Sequence, residues 1–162
     1  MVLKWFYGAH TCESDSMVGN WNIELNKTHV LFLEDILDYL TKDNLKKINL
    51  KHIAWKYKHR YHKDKTSIRI IKELAIGPKD RYEEADINCP GIITNGPNPF
   101  DNKYRMLDGR RRLCKRLLND EKEGLFYVLP WEEIKSLFVS DPKIIDERMT
   151  LSEEEMNNLK EK

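Results

Sequence analysis

Long apolar runs are absent from these 162 residues, and nothing approaches the roughly 18 consecutive apolar residues that mark a membrane-spanning helix, so neither a span nor a membrane partner is expected. The opening Met1 to Tyr7 is apolar but lacks the basic region and small-residue cleavage site of a secretory signal. Cysteine is scarce as well. Cys12, Cys89 and Cys114 are odd in number, far apart and free of any Cys-x-x-Cys pattern, which predicts reduced thiols and a cytoplasmic setting. Metal-ligand spacing is equally thin: His10 with Cys12, or His59 with His62, would need two further ligands, so no metal site is expected. There is no Gly-x-x-x-x-Gly-Lys loop, no Gly-x-Ser-x-Gly elbow and no His-Glu-x-x-His helix. Internal repeats and low-complexity segments are lacking, and a net charge of +1 excludes a uniformly basic nucleic-acid coat.

What is present suits one compact domain with short additions, and two large domains are excluded. Leu, Ile, Val and Phe supply 42 residues, about a quarter of the chain and above the roughly 20% below which disorder sets in. A core of this size needs no disulfide to hold it. The near-zero charge hides segregation. Residues 41–72 hold 11 Lys/Arg against 2 Asp/Glu, and 101–119 hold 7 against 2. Acidic blocks flank both, the last being 120–162 with 12 Asp/Glu against 6 Lys/Arg.

Alternation at Leu3, Trp5 and Tyr7, and again at Trp21, Ile23 and Leu25, predicts two short strands split by a polar turn region from His10 to Asn20. Phe32, Leu33, Ile36, Leu37 and Leu40 recur at helical spacing and predict an amphipathic helix over 29–41. Ile48 to Trp55 reads as extended, and Ile68 to Ala75 as a helix ended by Gly77 and Pro78. A buried strand is expected within Ile87 to Thr94, then a proline-rich loop, a strand at Tyr104 to Leu107, a turn at Asp108-Gly109 and a helix from Arg110 to Asn119. Leu125 to Leu129 is a further strand, Pro130 opens a helix through Phe138, and Ser152 to Glu155 forms a capping box before a short acidic helix or tail. The fold class is therefore α+β, a small mixed sheet with flanking helices. Residues 1–45 form an N-terminal addition, 46–140 the main domain and 141–162 an acidic tail or short helix.

The most informative stretch is Lys103 to Leu113, a strand, a tight glycine turn and a helix that begins Arg110-Arg111-Arg112. A helix N-terminus carries about half a positive charge, so three arginines there are unfavourable unless an anion lies nearby. With about 100° per residue, the apolar face of this helix centres near Arg110, Arg111 flanks it and Arg112 points away. Two readings stand side by side. In one, Arg110 pairs with Asp108 or another carboxylate and the remaining arginines are solvated. In the other, Gly109, Arg110, Arg111 and Arg112 bind phosphate, whose oxygens match the planar guanidinium fork while glycine allows close backbone approach. Asp108 is the single carboxylate placed to act as a base or magnesium ligand beside that turn.

A second candidate runs from Trp55 to Lys63, where aromatics and cations alternate. Extended, it would put Lys56, Lys58 and Arg60 in one cationic row opposite an aromatic face, either a solvated strand face or a nucleic-acid-binding row.

Residues 48 to 128 resemble the ParB/sulfiredoxin-like superfamily, through Ile48 and Leu50, Pro90 with Ile92 and Ile93, and above all Tyr104-Arg-Met-Leu-Asp-Gly-Arg-Arg-Arg112. The resemblance implies a nucleoside triphosphate at the turn, held by Gly109, Arg111 and Arg112. Arg110 stands where ParB proteins carry glutamate, so CTP hydrolysis is not carried over. It also stands where sulfiredoxins carry their catalytic cysteine, so sulfinic acid reduction is not carried over either. Only about 30 residues follow Val128, too few for the helix-turn-helix domain of a partition protein.

Three functional classes remain open at this point. The first binds phosphate groups of a nucleotide or nucleic acid at the Asp108 to Arg112 turn. The second is a phosphoryl-transfer or nuclease enzyme, with Asp108 holding Mg²⁺ and the arginines stabilising developing charge. The third is an adaptor whose separated charges dock a protein partner.

Overall fold

Two hairpins open the chain, and in the first the inward positions Trp5, Cys12 and Ser14 are apolar or small while Lys4 and Glu13 face outward. Val2–Tyr7 (β1) pairs antiparallel with His10–Asp15 (β2), in unbroken register from Val2 opposite Asp15 to Tyr7 opposite His10. Gly8, at φ +57°, takes the left-handed conformation that this tight connection requires. The polar turn expected over 10–20 is thus largely strand. Its inward positions are Cys12, Ser14 and Ser16, side chains small enough to be buried without registering as hydrophobic. Met17–Glu24 (β3) pairs antiparallel with Lys27–Phe32 (β4).

The helix expected over 29–41 does not form. Val30, Leu31, Phe32 and Leu33 are all buried, β4 bridges Val139 through Val30 in both directions at 2.8 Å, and successive 3-10 turns at 33–35 and 37–39 follow. Strand pairing and contiguous burial outweigh the helical spacing of Leu33, Ile36 and Leu40. Ile36 still reaches the core, at the corner between the two turns.

The structure is a computed structural model and describes residues 2–24, 27–55, 86–98 and 102–149. The expected helix at 68–75, the Lys56, Lys58 and Arg60 row and the capping box at Ser152 lie outside these residues. The molecule is α+β, built on a five-stranded mixed sheet. Its further strands are Leu45–Asn49 (β5), Ile53–Ala54 (β6), Gly91–Thr94 (β7), Tyr104–Asp108 (β8) and Glu123–Leu129 (β9), in spatial order β5-β9-β7-β8-β6. β9 runs parallel to β7 and antiparallel to β5, while β8 is antiparallel to β7 and parallel to β6. The helices are short: Arg110–Leu118 (α1), Trp131–Ile134 (α2) and residues 142–149 (α3).

The sheet is covered on both faces. Successive residues of a strand point to opposite sides, so Ile92, Tyr127 and Leu129 pack on one face with Trp5, Trp21, Leu31 and Ile36 from the hairpin region. Ile93 and Phe126 pack on the other with Leu113 and Cys114 of α1 and with Ile48, Ile53 and Trp55. β7 lies between two strands with both faces covered, and all four of its residues are buried. Arg148 of α3 ties the C-terminal helix back to the 3-10 corner. It pairs with Glu34, donates to Asp35 at 2.8 Å and stacks over Phe32 at 4.0 Å.

Candidate functional site

The strand, turn and helix expected at 104–119 form as the residues dictate, and they floor a cleft of about 1250 Å³. Gly109 is the hinge. Its φ of +102° is a left-handed conformation, and a Cβ there would sit 3.0 Å from Arg112 Nη2 and 3.0 Å from Gly91 Cα, so glycine is required twice over. The Gly109 carbonyl accepts the first helical hydrogen bond from Leu113 N at 2.9 Å. No acidic residue occupies the first turn of α1 to balance the helix dipole.

The three arginines have different fates. Arg112, expected to point away, instead folds inward and is buried, with Nη2 2.7 Å from Asp108 Oδ2. The same oxygen accepts the Ser14 hydroxyl at 2.6 Å, and Ser14 Oγ in turn accepts Trp5 Nε1 at 2.8 Å. Trp5, Ser14, Asp108 and Arg112 thus form one chain of polar contacts that ties the β1–β2 hairpin to the turn. The short reach from Asp108 across the glycine favours this i,i+4 pair, and burial of a guanidinium demands it. Self-pairing of the turn is therefore real, and Arg112 takes part in it.

Arg110 and Arg111 both line the cleft and are only part buried. Arg110 buries its Nε atom, so its stem lies against the fold while the side chain contributes to the cleft wall. Both guanidinium groups lie near the Cys114 thiol and favour its ionisation. Burial dominates, and the thiol is pushed up to about 12. Cys114 is thus an inert core residue.

Arg105, which sequence reasoning did not single out, also belongs to the cleft. Its guanidinium stacks 3.8 Å from the Trp21 ring centre, and burial lowers its pKa. Trp21 in turn stacks on Trp131 and tilts against Phe138, at 5.9 and 5.3 Å between ring centres. The signal in the chain was the alternation Arg105, Leu107 on β8, which puts Arg105 on the face of the sheet that the hairpins cover. Glu13 and Asp15 of β2 also line the cleft, as does Asp86 on the loop before β7.

Cys12 and Cys89 are not reduced thiols. They form a disulfide between β2 and that same loop, with Cα atoms 5.8 Å apart. The 77-residue separation hid a pair that only the folded hairpin brings together. Both are buried, and Cys89 lines the cleft.

One oxygen of Asp108, the residue expected to hold a magnesium ion, accepts from both Arg112 and Ser14 through Oδ2. Among the described residues no three His, Cys, Asp or Glu side chains converge as a metal site. No helix among the described residues is long and apolar enough to cross a membrane. Comparison of the chain with protein-family models, with curated proteins and with solved structures gave no match.

Proposed function

We propose that this chain is a ParB/sulfiredoxin-like domain whose cleft binds the phosphate groups of a nucleotide or a nucleic-acid end, with Arg110 and Arg111 as the contacting cations. The observation that carries this reading is the gathering of cations on one cleft. Arg110 and Arg111 line a volume of about 1250 Å³ at the N-terminus of a nine-residue helix, together with Arg105 and with Arg112, which is ion-paired to Asp108. Backbone N–H groups of that first turn, the dipole and two guanidinium groups act on the same volume. Arg105 adds a third charge farther along β8. A cleft of this volume has room for a nucleotide-sized ligand, and pockets of about 300–1,000 Å³ commonly hold small molecules.

Asp108 serves this reading as a positioning group. It holds Arg112 against the start of α1, and so sets the direction in which Arg110 and Arg111 leave the helix.

Titration of ATP, CTP and a short single-stranded oligonucleotide against the wild type, Arg110→Ala and Arg111→Ala tests the reading. Each substitution should weaken binding about tenfold or more, the loss expected for one charge-assisted contact of roughly 1.5–3 kcal/mol. Affinity should also fall as salt rises. Equal, weak binding by all three proteins would remove the reading. A stoichiometric protein partner retained by both variants would favour a docking role instead.

A further inference from the structure

We infer that the Cys12–Cys89 disulfide is a redox latch on the cleft, and that its reduction releases the β1–β2 hairpin and dismantles one wall. This deepens the phosphate-binding reading and rests on it only for the consequence at the ligand. The latch itself stands on independent observations.

The hairpin is a separate two-stranded sheet, and neither of its strands pairs with the five-stranded sheet. Among the described residues it is held by its side chains and by the chain's continuation through Ser16 into β3. β2 presents Cys12 and Ser14 from its buried face, two residues apart and therefore side by side. Cys12 bonds to Cys89, and Ser14 donates to Asp108. Trp5 meets Tyr127 edge-on at 5.9 Å from the opposite strand. His10 lies 3.7 Å from Asp86 at the tip, where both groups are well exposed and add little. The disulfide is the covalent tie among these contacts.

The same strand is cleft wall. Thr11, Glu13, Ser14 and Asp15 all line the cavity, as does Cys89 itself. Loss of the latch therefore acts on the binding volume directly. It acts on the arginines indirectly, because Asp108 loses the Ser14 hydroxyl that fixes the carboxylate on which Arg112 rests.

The redox step is an exchange with a dithiol. One reductant thiolate attacks a sulfur of the bridge and forms a mixed disulfide, while the other cysteine leaves as thiolate and takes a proton. The second reductant thiol then displaces the mixed disulfide. Two electrons and two protons pass to Cys12 and Cys89, and the reductant leaves as its own disulfide. Because both sulfurs are buried, attack follows transient opening of the hairpin, which makes the latch slow in weak reductant.

Hydrogen exchange of the full chain, followed by mass spectrometry before and after treatment with dithiothreitol, provides the test, with alkylation confirming two new thiols. Cys12→Ser/Cys89→Ser serves as a permanently open form, and reoxidation of reduced wild type is the control if that variant misfolds. Exchange over residues 2–15 and 105–112 should speed up by about 10²–10³-fold, approaching the loop-closure value for a crosslink of this span. β9 should stay protected. Tripolyphosphate and ATP are then titrated against both redox forms, and binding should weaken by the factor by which the docked hairpin is depleted. Unchanged exchange in the hairpin, or parallel loss of protection in β9, would overturn the latch. Release of the hairpin with equal ligand affinity in both forms would overturn its link to the cleft. Release of the hairpin in a protein that binds neither probe when oxidised would leave the latch standing and remove the phosphate reading.

Discussion

Replacement of Asp108 by alanine separates a structural carboxylate from a chemical one. Arg112 and Asp108 expose only 8% and 15% of their side chains and meet at 2.7 Å, so the alanine variant leaves a buried guanidinium without its partner. Breaking such a pair from one side costs about 3–5 kcal/mol. The same change strands the Ser14 hydroxyl, which still accepts from Trp5 Nε1. Urea unfolding should therefore show a drop of about 3–5 kcal/mol at unchanged slope. In Asp108→Leu/Arg112→Met both charges are gone, and most of that loss should return, since apolar replacement of a whole buried pair is often close to neutral. Asp108→Asn keeps an acceptor for Arg112 and Ser14 and should fall between the two. A loss below about 1 kcal/mol in Asp108→Ala would show a pair screened as at an exposed surface, and the positioning role assigned to Asp108 would fall with it.

Further expectations attach to single residues. Gly109→Ala should cost about 2–3 kcal/mol in thermal or urea unfolding, through left-handed strain and the close approach of its Cβ to Gly91 and Arg112; a loss under about 0.5 kcal/mol would refute the geometry of the turn. Cys114 should resist iodoacetamide at pH 8 in the native protein and react once it is unfolded, which a time course of mass spectra would show. Its thiol, raised from 9.0 to about 12, keeps its proton in the folded state while the unfolded chain loses it, so its contribution to stability is lost as pH rises from about 9 towards 12. Arg148→Met should destabilise by about 1–2 kcal/mol and speed hydrogen exchange over 142–149, because the guanidinium that holds Glu34 and Asp35 is gone.

The second half of the described chain was legible because its signals are local. Tyr104 to Leu107, Asp108-Gly109 and the helix from Arg110 combine an alternating run, a glycine that must turn and an apolar stripe, all within 16 residues. α1 buries Leu113 and Cys114 as its spacing demands. The first quarter was not legible for the opposite reason. β2 buries cysteine and serine, whose inward alternation carries no hydrophobic weight. Phe32, Leu33 and Ile36 have helical spacing but are buried where β4 pairs with β3 and the chain turns into the 3-10 corner. At the site, spacing along an ideal helix placed Arg110 inward and Arg112 outward. Arg110 does line the cleft, but the left-handed Gly109 and the pull of the part-buried Asp108 carboxylate brought Arg112 inward as well, and neither effect is visible in helical periodicity.

The place of β9 in the sheet has a consequence for how the polypeptide reaches this state. It is the last of the five strands in the chain, yet it sits between β5 and β7. Until Leu129 has left the ribosome, β5 has no neighbour among the described strands and β7 pairs only with β8, so β5 stays outside the partial sheet of β7, β8 and β6. Closure then joins β5 to a strand more than 70 residues later in the chain, and such distant pairings form slowly. A chain truncated before Glu123 would lack the strand that unites the halves, and protein quality control would meet it as an aggregation-prone fragment.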